Sequence, residues 1–131
     1  MVEPVELSGR QCLELLERHG VGRVAFSTPM GPRIVPVRYT LEGSEIVFPA
    51  TPYSEVGTYA PDSEVAFEID EVDAAGHCGC TVVALGRAEV VDVPALPPGQ
   101  QSGRDGPDAP HEGYRWIKVA AHDLTGSRLG H

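Results

Sequence analysis

The sequence predicts a mainly β protein, a small β-barrel with short helices at its ends. Two observations carry that prediction. Short segments rich in Val, Ile, Phe and Tyr recur along the chain and are separated by Pro- and Gly-containing turns. By contrast, only one stretch near the start shows clear helical spacing of its apolar residues.

That stretch is SGRQCLELLERHG. Ser8 and Gln11 have capping-box spacing, Cys12, Leu15 and Leu16 fall on one face, and Gly20 is the expected stop. The period then changes. VGRVAFST, PRIVPVRYT and SEIVF are divided by Pro29-Met30-Gly31-Pro32 and by Leu41-Glu42-Gly43-Ser44, so the three read as a β-meander. Pro36 lies inside the second run, where it has no N–H to give a neighbour, so that strand is expected at an edge or bulged. Residues 52–60 read as a short helix with Thr51 as N-cap and Pro52 at the first helical position.

SEVAFEID alternates as a further strand, and residues 79–92 are long enough for one bent strand or two pieces broken near Gly86. Residues 93–112 are dominated by Pro, Gly, Gln, Asp and Ser and read as a mobile loop. GYRWIKVAAHDL then returns the chain to the sheet, leaving TGSRLGH as a tail. At 131 residues, one domain over 1–131 is the expectation.

Ten Lys plus Arg against nineteen Asp plus Glu give a formal charge of −9, with no basic run, which argues against nucleic acid and anionic membranes as partners. The opening MVEPVELSGRQ has no apolar core segment, and no stretch approaches the roughly 18 apolar residues of a membrane span, so a cytoplasmic protein is expected. Cys12, Cys78 and Cys80 are an odd number, which argues against a disulfide framework.

Candidate chemistry is sparse. His77-Cys78-Gly79-Cys80 has metal-ligand residue types but no second Cys/His pair at zinc spacing, and reads as a turn entering a strand. Neither a Gly-x-Ser-x-Gly elbow nor a phosphate-cradling Gly-rich loop is present. Glu68, Asp70, Glu71 and Asp73 read as a solvated face.

Taken in order, HGVGRVAFST, GPRIVPVRYTLEGSEIVF, TPYSEVGTYA, VAFEID and TVVALGRAEVV resemble the pyridoxamine 5'-phosphate oxidase-like, FMN-binding split-barrel family, most closely its short actinobacterial-type members. The likeness spans residues 7–92 and, more weakly, 113–129. It implies a six-stranded split barrel, a homodimer with a groove at its interface, and an FMN-dependent oxidoreductase. The ring would lie on the strand containing Val37, Arg38 and Tyr39 and on the segment from Phe48 to Thr51. Arg38, Ser54 and Arg87 would approach the phosphate, with Arg23 or Arg33 as further cations in reach.

The chain departs from the family at that end. Pro49-Ala50-Thr51 stands where an Arg-Thr pair is common, Glu55 where Lys is common, and Ala84-Leu85-Gly86 where Val-Arg-Gly is frequent. Two other readings therefore stand beside the first. One is a cofactor-free split-barrel dimer acting as a binding or structural protein. The other is a deazaflavin-dependent reductase, although that longer, more anionic coenzyme suits a chain of charge −9 with a single lysine poorly.

Overall fold

The computed structural model describes residues 4–72, 75–76, 79–91 and 114–129. Within them the chain runs β1 (Val5–Glu6), α1 (Gly9–Arg18), β2 (Val21–Thr28), β3 (Gly31–Arg38), β4 (Thr40–Glu42), β5 (Glu45–Ala50), α2 (Glu55–Tyr59), β6 (Ser63–Val72), β7 (Gly79–Val91) and β8 (Arg115–Leu129). All strand pairing is antiparallel, in the order β3-β2-β6-β7-β8-β5-β4, with β1 added to β8. Setting aside the two- and three-residue β1 and β4, six strands make a curled sheet, which is the expected split barrel.

The curl has a chemical cause. Alternate residues of β2, β6 and β7 turn inward, putting Val24, Phe26, Val65, Phe67, Ile69, Val82 and Ala84 against Ile46, Phe48, Ile117 and Val119 from the opposite wall. Each large side chain buried this way stabilises the fold by about 1.5–3 kcal/mol relative to exposure. Helix α1 closes one end. Ser8 Oγ accepts the Gln11 N–H at 3.2 Å while the Ser8 N–H donates to Gln11 Oε1 at 2.9 Å, so the capping box is present and Cys12, Leu15 and Leu16 are buried as expected. The helix ends at Arg18, and its C-cap is His19 in extended backbone rather than a left-handed Gly20.

Both tight turns fall where the sequence puts them. Thr28 pairs with Gly31, and the Thr28 hydroxyl donates to the Gly31 carbonyl at 2.7 Å while accepting the Met30 N–H at 3.1 Å. Glu42 pairs with Glu45 across Gly43-Ser44, with Gly43 at φ 65°.

Three expectations need correction. The meander stops after two strands, because β5 pairs with β4 and β8 rather than with β3. Tyr39 links β3 to β4: its side chain is buried in the core, and its N–H makes the last bond to the β2 side, to the Gly20 carbonyl. The second helix begins later than expected, with Ser54 and not Thr51 as N-cap, because the Thr51 carbonyl instead accepts the Ser54 N–H at 3.2 Å in a preceding turn. Finally, most of TGSRLGH is strand: β8 runs to Leu129, paired with β7 as far as Gly79 and flanked by β1. Hydrophobic periodicity misses this segment because a 13-residue β7 supplies the ladder and Gly126 packs under Cys12 of α1.

Strand β7 is one strand with a register shift between Leu85 and Gly86, the position marked by the sequence. Pro36 lies on the sheet-end strand β3, as its missing donor demands. Residues 93–112 lie outside the described residues, as do His77, Cys78 and Asp73.

Candidate functional site

Strand β3 is the terminal strand of the sheet, and one hydrogen bond sets the phase of its edge. The Tyr39 N–H donates to the Gly20 carbonyl at 2.9 Å, extending the β2–β3 ladder by one residue pair. By alternation, the backbone groups of residues 33, 35 and 37 face β2, and those of Pro32, Ile34, Pro36 and Arg38 face away. Two of these four positions are prolines, so the outward edge offers carbonyls and few donors. That blunts it against further strand pairing and leaves it suited to a small ligand with donors of its own.

Beside this edge lies the β5–α2 junction. Arg33 reaches from β3 to α2, its Nε 3.4 Å from Glu55 Oε1, with the two side chains 37% and 51% exposed. Ser54 Oγ donates to the Thr51 carbonyl at 2.8 Å and accepts the Gly57 N–H at 3.1 Å, so both hydroxyl functions serve the turn and the cap. A Cβ on Gly57 would fall 1.9 Å from the Thr51 carbonyl oxygen, which shows how tightly this turn closes on itself.

The residues implied by the resemblance therefore divide. Val37 is buried and its backbone faces β2, Arg38 is exposed on the outward edge, and Thr51 is half-buried at the junction. Phe48 is fully buried on β5, main chain included, and pairs with Ile117 of β8. Tyr39 has its side chain in the core: its hydroxyl donates to the Leu16 carbonyl of α1 at 2.6 Å, and its ring stands edge-on to Phe67 with centroids 4.9 Å apart. Burial pushes its pKa up from the ordinary 10 to about 12. Arg87 lies on β7, opposite Glu64 of β6 and Ala120 of β8, with Asp62 and Glu89 each 3.9 Å away. Arg23 faces Glu68 and Asp70 at 3.7 and 3.6 Å. Arg23, Arg33 and Arg87 thus each have a carboxylate beside them.

Of the acidic residues read as a solvated face, Glu68 and Asp70 share one face of β6 with side chains 43% and 48% exposed, Glu71 falls on the other, and Asp73 lies outside the described residues. Glu71 ties the sheet to the end of α1, accepting from Arg18 at 3.0 Å and lying 2.7 Å from His19 Nε2; that His19 contact, with Arg18 beside it, lowers the Glu71 pKa. Among the described residues no cluster of three or more His, Cys, Asp or Glu is placed to hold a metal, and Cys12 and Cys80 are free thiols.

Sequence reading missed one arrangement. In the β7–β8 register Leu85 pairs with Asp123 and Gly86 with Ala121, so His122 is the extra residue of a β-bulge. It leans over Gly86 to put Nε2 2.7 Å from Glu64 Oε1 on β6. A shallow groove of about 330 Å³ lies beside this pair, lined by Ala25, Pro32, Ala66 and Leu85 among others. The one sequence signal was Gly86, where a Cβ would sit 2.3 Å from the Ala120 carbonyl oxygen.

A curled six-strand sheet with a proline-blunted edge strand beside a short capped helix has the architecture of a split barrel. The chain belongs to the pyridoxamine 5'-phosphate oxidase family, whose family model matches residues 8–128. Among solved structures it is similar to the FAD-binding protein of Mycobacterium smegmatis, at 21% identity and TM-score 0.76 over 97% of this chain and 99% of that one. A FAD-binding protein from Mesorhizobium loti gives 19% identity and TM-score 0.77 over 100% of both chains. A flavocytochrome from Azotobacter vinelandii gives 12% and 0.71, over 91% of this chain and 66% of that one. At these identities the likeness shows the fold. No curated protein sequence matches the chain.

Proposed function

We propose that this chain is a flavin-dependent oxidoreductase that works as a homodimer, with the flavin ring in a groove between the outward edge of β3 and the β5–α2 junction. The observation that carries the reading is the β3 edge itself. Its carbonyls at Ile34, Pro36 and Arg38 face away from the sheet, as does that of Pro32, which accepts from Arg33 Nη1 at 3.4 Å. Beside them lies a junction where half-buried Pro49 and Thr51 flank buried Ala50. An isoalloxazine ring has an apolar body and a polar, N–H-bearing edge, and such a site suits both. The flavin-binding descriptions of the two mycobacterial and rhizobial neighbours support it.

A bound flavin would supply the redox chemistry by accepting and returning a hydride, and the chain's own residues would bind and orient it and exclude water. The ring end fits these residues. The phosphate end does not fit FMN: the Ser54 hydroxyl is committed to the cap, Glu55 stands where a cation would help, and Arg33 and Arg87 already face carboxylates. That mismatch is the observation favouring the second reading, a cofactor-free split-barrel dimer. Deazaflavin, more anionic still, meets the same obstacle.

The homodimer is inferred from the outer face of the β2–β3 hairpin. Ala25, Pro32, Ile34 and Pro36 share that face, and Ile34 is 68% exposed. Contiguous apolar surface of this kind marks an interaction site, and a second copy with the same patch can cover it symmetrically. Sedimentation of the purified protein tests this part, with a dimer expected and a monomer at micromolar concentration contradicting it. Colour tests the other: a visible flavin band that is released on denaturation supports the enzyme, whereas protein that purifies colourless and stays so after incubation with FMN, FAD or riboflavin supports the cofactor-free reading.

A further inference from the structure

Resting on the flavin reading above, we propose that Glu55 is a specificity-determining residue that makes this site discriminate against a phosphate monoester. The chain then takes a flavin whose ribityl end carries at most one charge at that point, either riboflavin or the diester-linked FAD, in preference to FMN.

The argument is one of charge balance at the β5–α2 junction. Glu55 is the first residue of α2, and its carboxylate is matched by Arg33 at 3.4 Å, so the pair brings no net positive charge. Arg87 is held between Asp62 and Glu89, both at 3.9 Å. The Ser54 hydroxyl donates to Thr51 and accepts from Gly57, and α2, with five residues, adds little dipole. A phosphate monoester is close to dianionic at neutral pH, because its second pKa is about 6. A diester in the same place carries one charge, and riboflavin none. Repulsion from the Glu55 carboxylate scales with that charge.

At a separation of about 6 Å, in water-like dielectric with physiological screening, a carboxylate facing a dianion changes Kd by about threefold. For a monoanion the change is about twofold, and for a neutral ligand about none.

The test is a titration of wild type, Glu55→Gln and Arg33→Gln with riboflavin, FAD and FMN, followed by quenching of flavin fluorescence at low and high salt. Expected is a wild type that binds riboflavin and FAD more tightly than FMN. Glu55→Gln should then tighten FMN about threefold and leave riboflavin within the error of the measurement, with the gain shrinking at high salt. Arg33→Gln should weaken FMN and spare riboflavin, so a structural loss common to all ligands is told apart from a charge effect. Equal shifts for FMN and riboflavin, or an unchanged FMN affinity in Glu55→Gln while riboflavin still binds, would overturn the proposal and leave the flavin reading standing. If none of the three flavins binds any of the proteins, the flavin reading fails and this inference fails with it.

Discussion

Replacing Tyr39 with Phe separates a core role from a ligand role at a residue the resemblance places in the cofactor groove. The substitution keeps the ring and its edge-on contact with Phe67 and removes only the hydroxyl that donates to Leu16 at 2.6 Å. The Leu16 carbonyl belongs to the last turn of α1, where backbone acceptors have no partner within the helix. Leaving it buried and unsatisfied costs about 1–2 kcal/mol. With an unfolding entropy of about 2.1 cal/mol/K per residue over 131 residues, that lowers Tm by about 4–7 °C. The pH dependence supplies a second readout. Burial raises the Tyr39 pKa above its unfolded value near 10, to about 12. A neutral group favoured by the fold contributes stability that is complete below pH 10 and is lost as pH rises from 10 towards 12. Phe cannot ionise, so the gap in Tm between wild type and Tyr39→Phe should be constant from pH 7 to 9.5 and close between pH 10 and 11.5. Thermal melts followed by circular dichroism across that range read both effects. A variant within 1 °C of wild type at pH 7, or a gap that stays constant to pH 11.5, would refute the assignment of Tyr39 to the core.

Two further substitutions test the surroundings of the site. Ser54→Ala removes the α2 N-cap and should cost about 1 kcal/mol in chemical denaturation, with riboflavin affinity retained; a selective loss of flavin affinity without loss of stability would instead make Ser54 a ligand contact. Gly86→Ala places a Cβ against the Ala120 backbone at 2.3 Å and should destabilise by about 2–4 kcal/mol, read as a lower denaturation midpoint, because neither strand can retreat without breaking the ladder; a midpoint equal to wild type would show that the bulge has room.

Local chemistry explains which parts of this molecule could be read from its sequence. The α1 capping box, the Gly43 turn, the edge position of Pro36 and the irregularity at Gly86 all rest on residues within a few positions of one another, where backbone donors and sterics decide the outcome. The partner of β5 did not follow, because pairing with β8 joins segments some seventy residues apart and nothing in SEIVF names its neighbour. The strand character of TGSRL was hidden for a related reason: it is held by the β7 ladder and not by an apolar face of its own. At the site, the unusual residues Pro49, Ala50 and Glu55 were legible, whereas the Arg33–Glu55 pair spans 22 positions and the His122–Glu64 pair 58, and both exist only through the fold.

The central claim is that this barrel still holds a flavin ring after its phosphate cradle has lost positive charge. Riboflavin isolates that claim, since it presents the ring without a phosphate. Titrating the purified protein, cleared of any bound flavin, with riboflavin under fluorescence detection should give saturable quenching at one flavin per chain. A flat titration with riboflavin and with FAD, with the protein folded and dimeric, would contradict the account and leave a cofactor-free split barrel in its place.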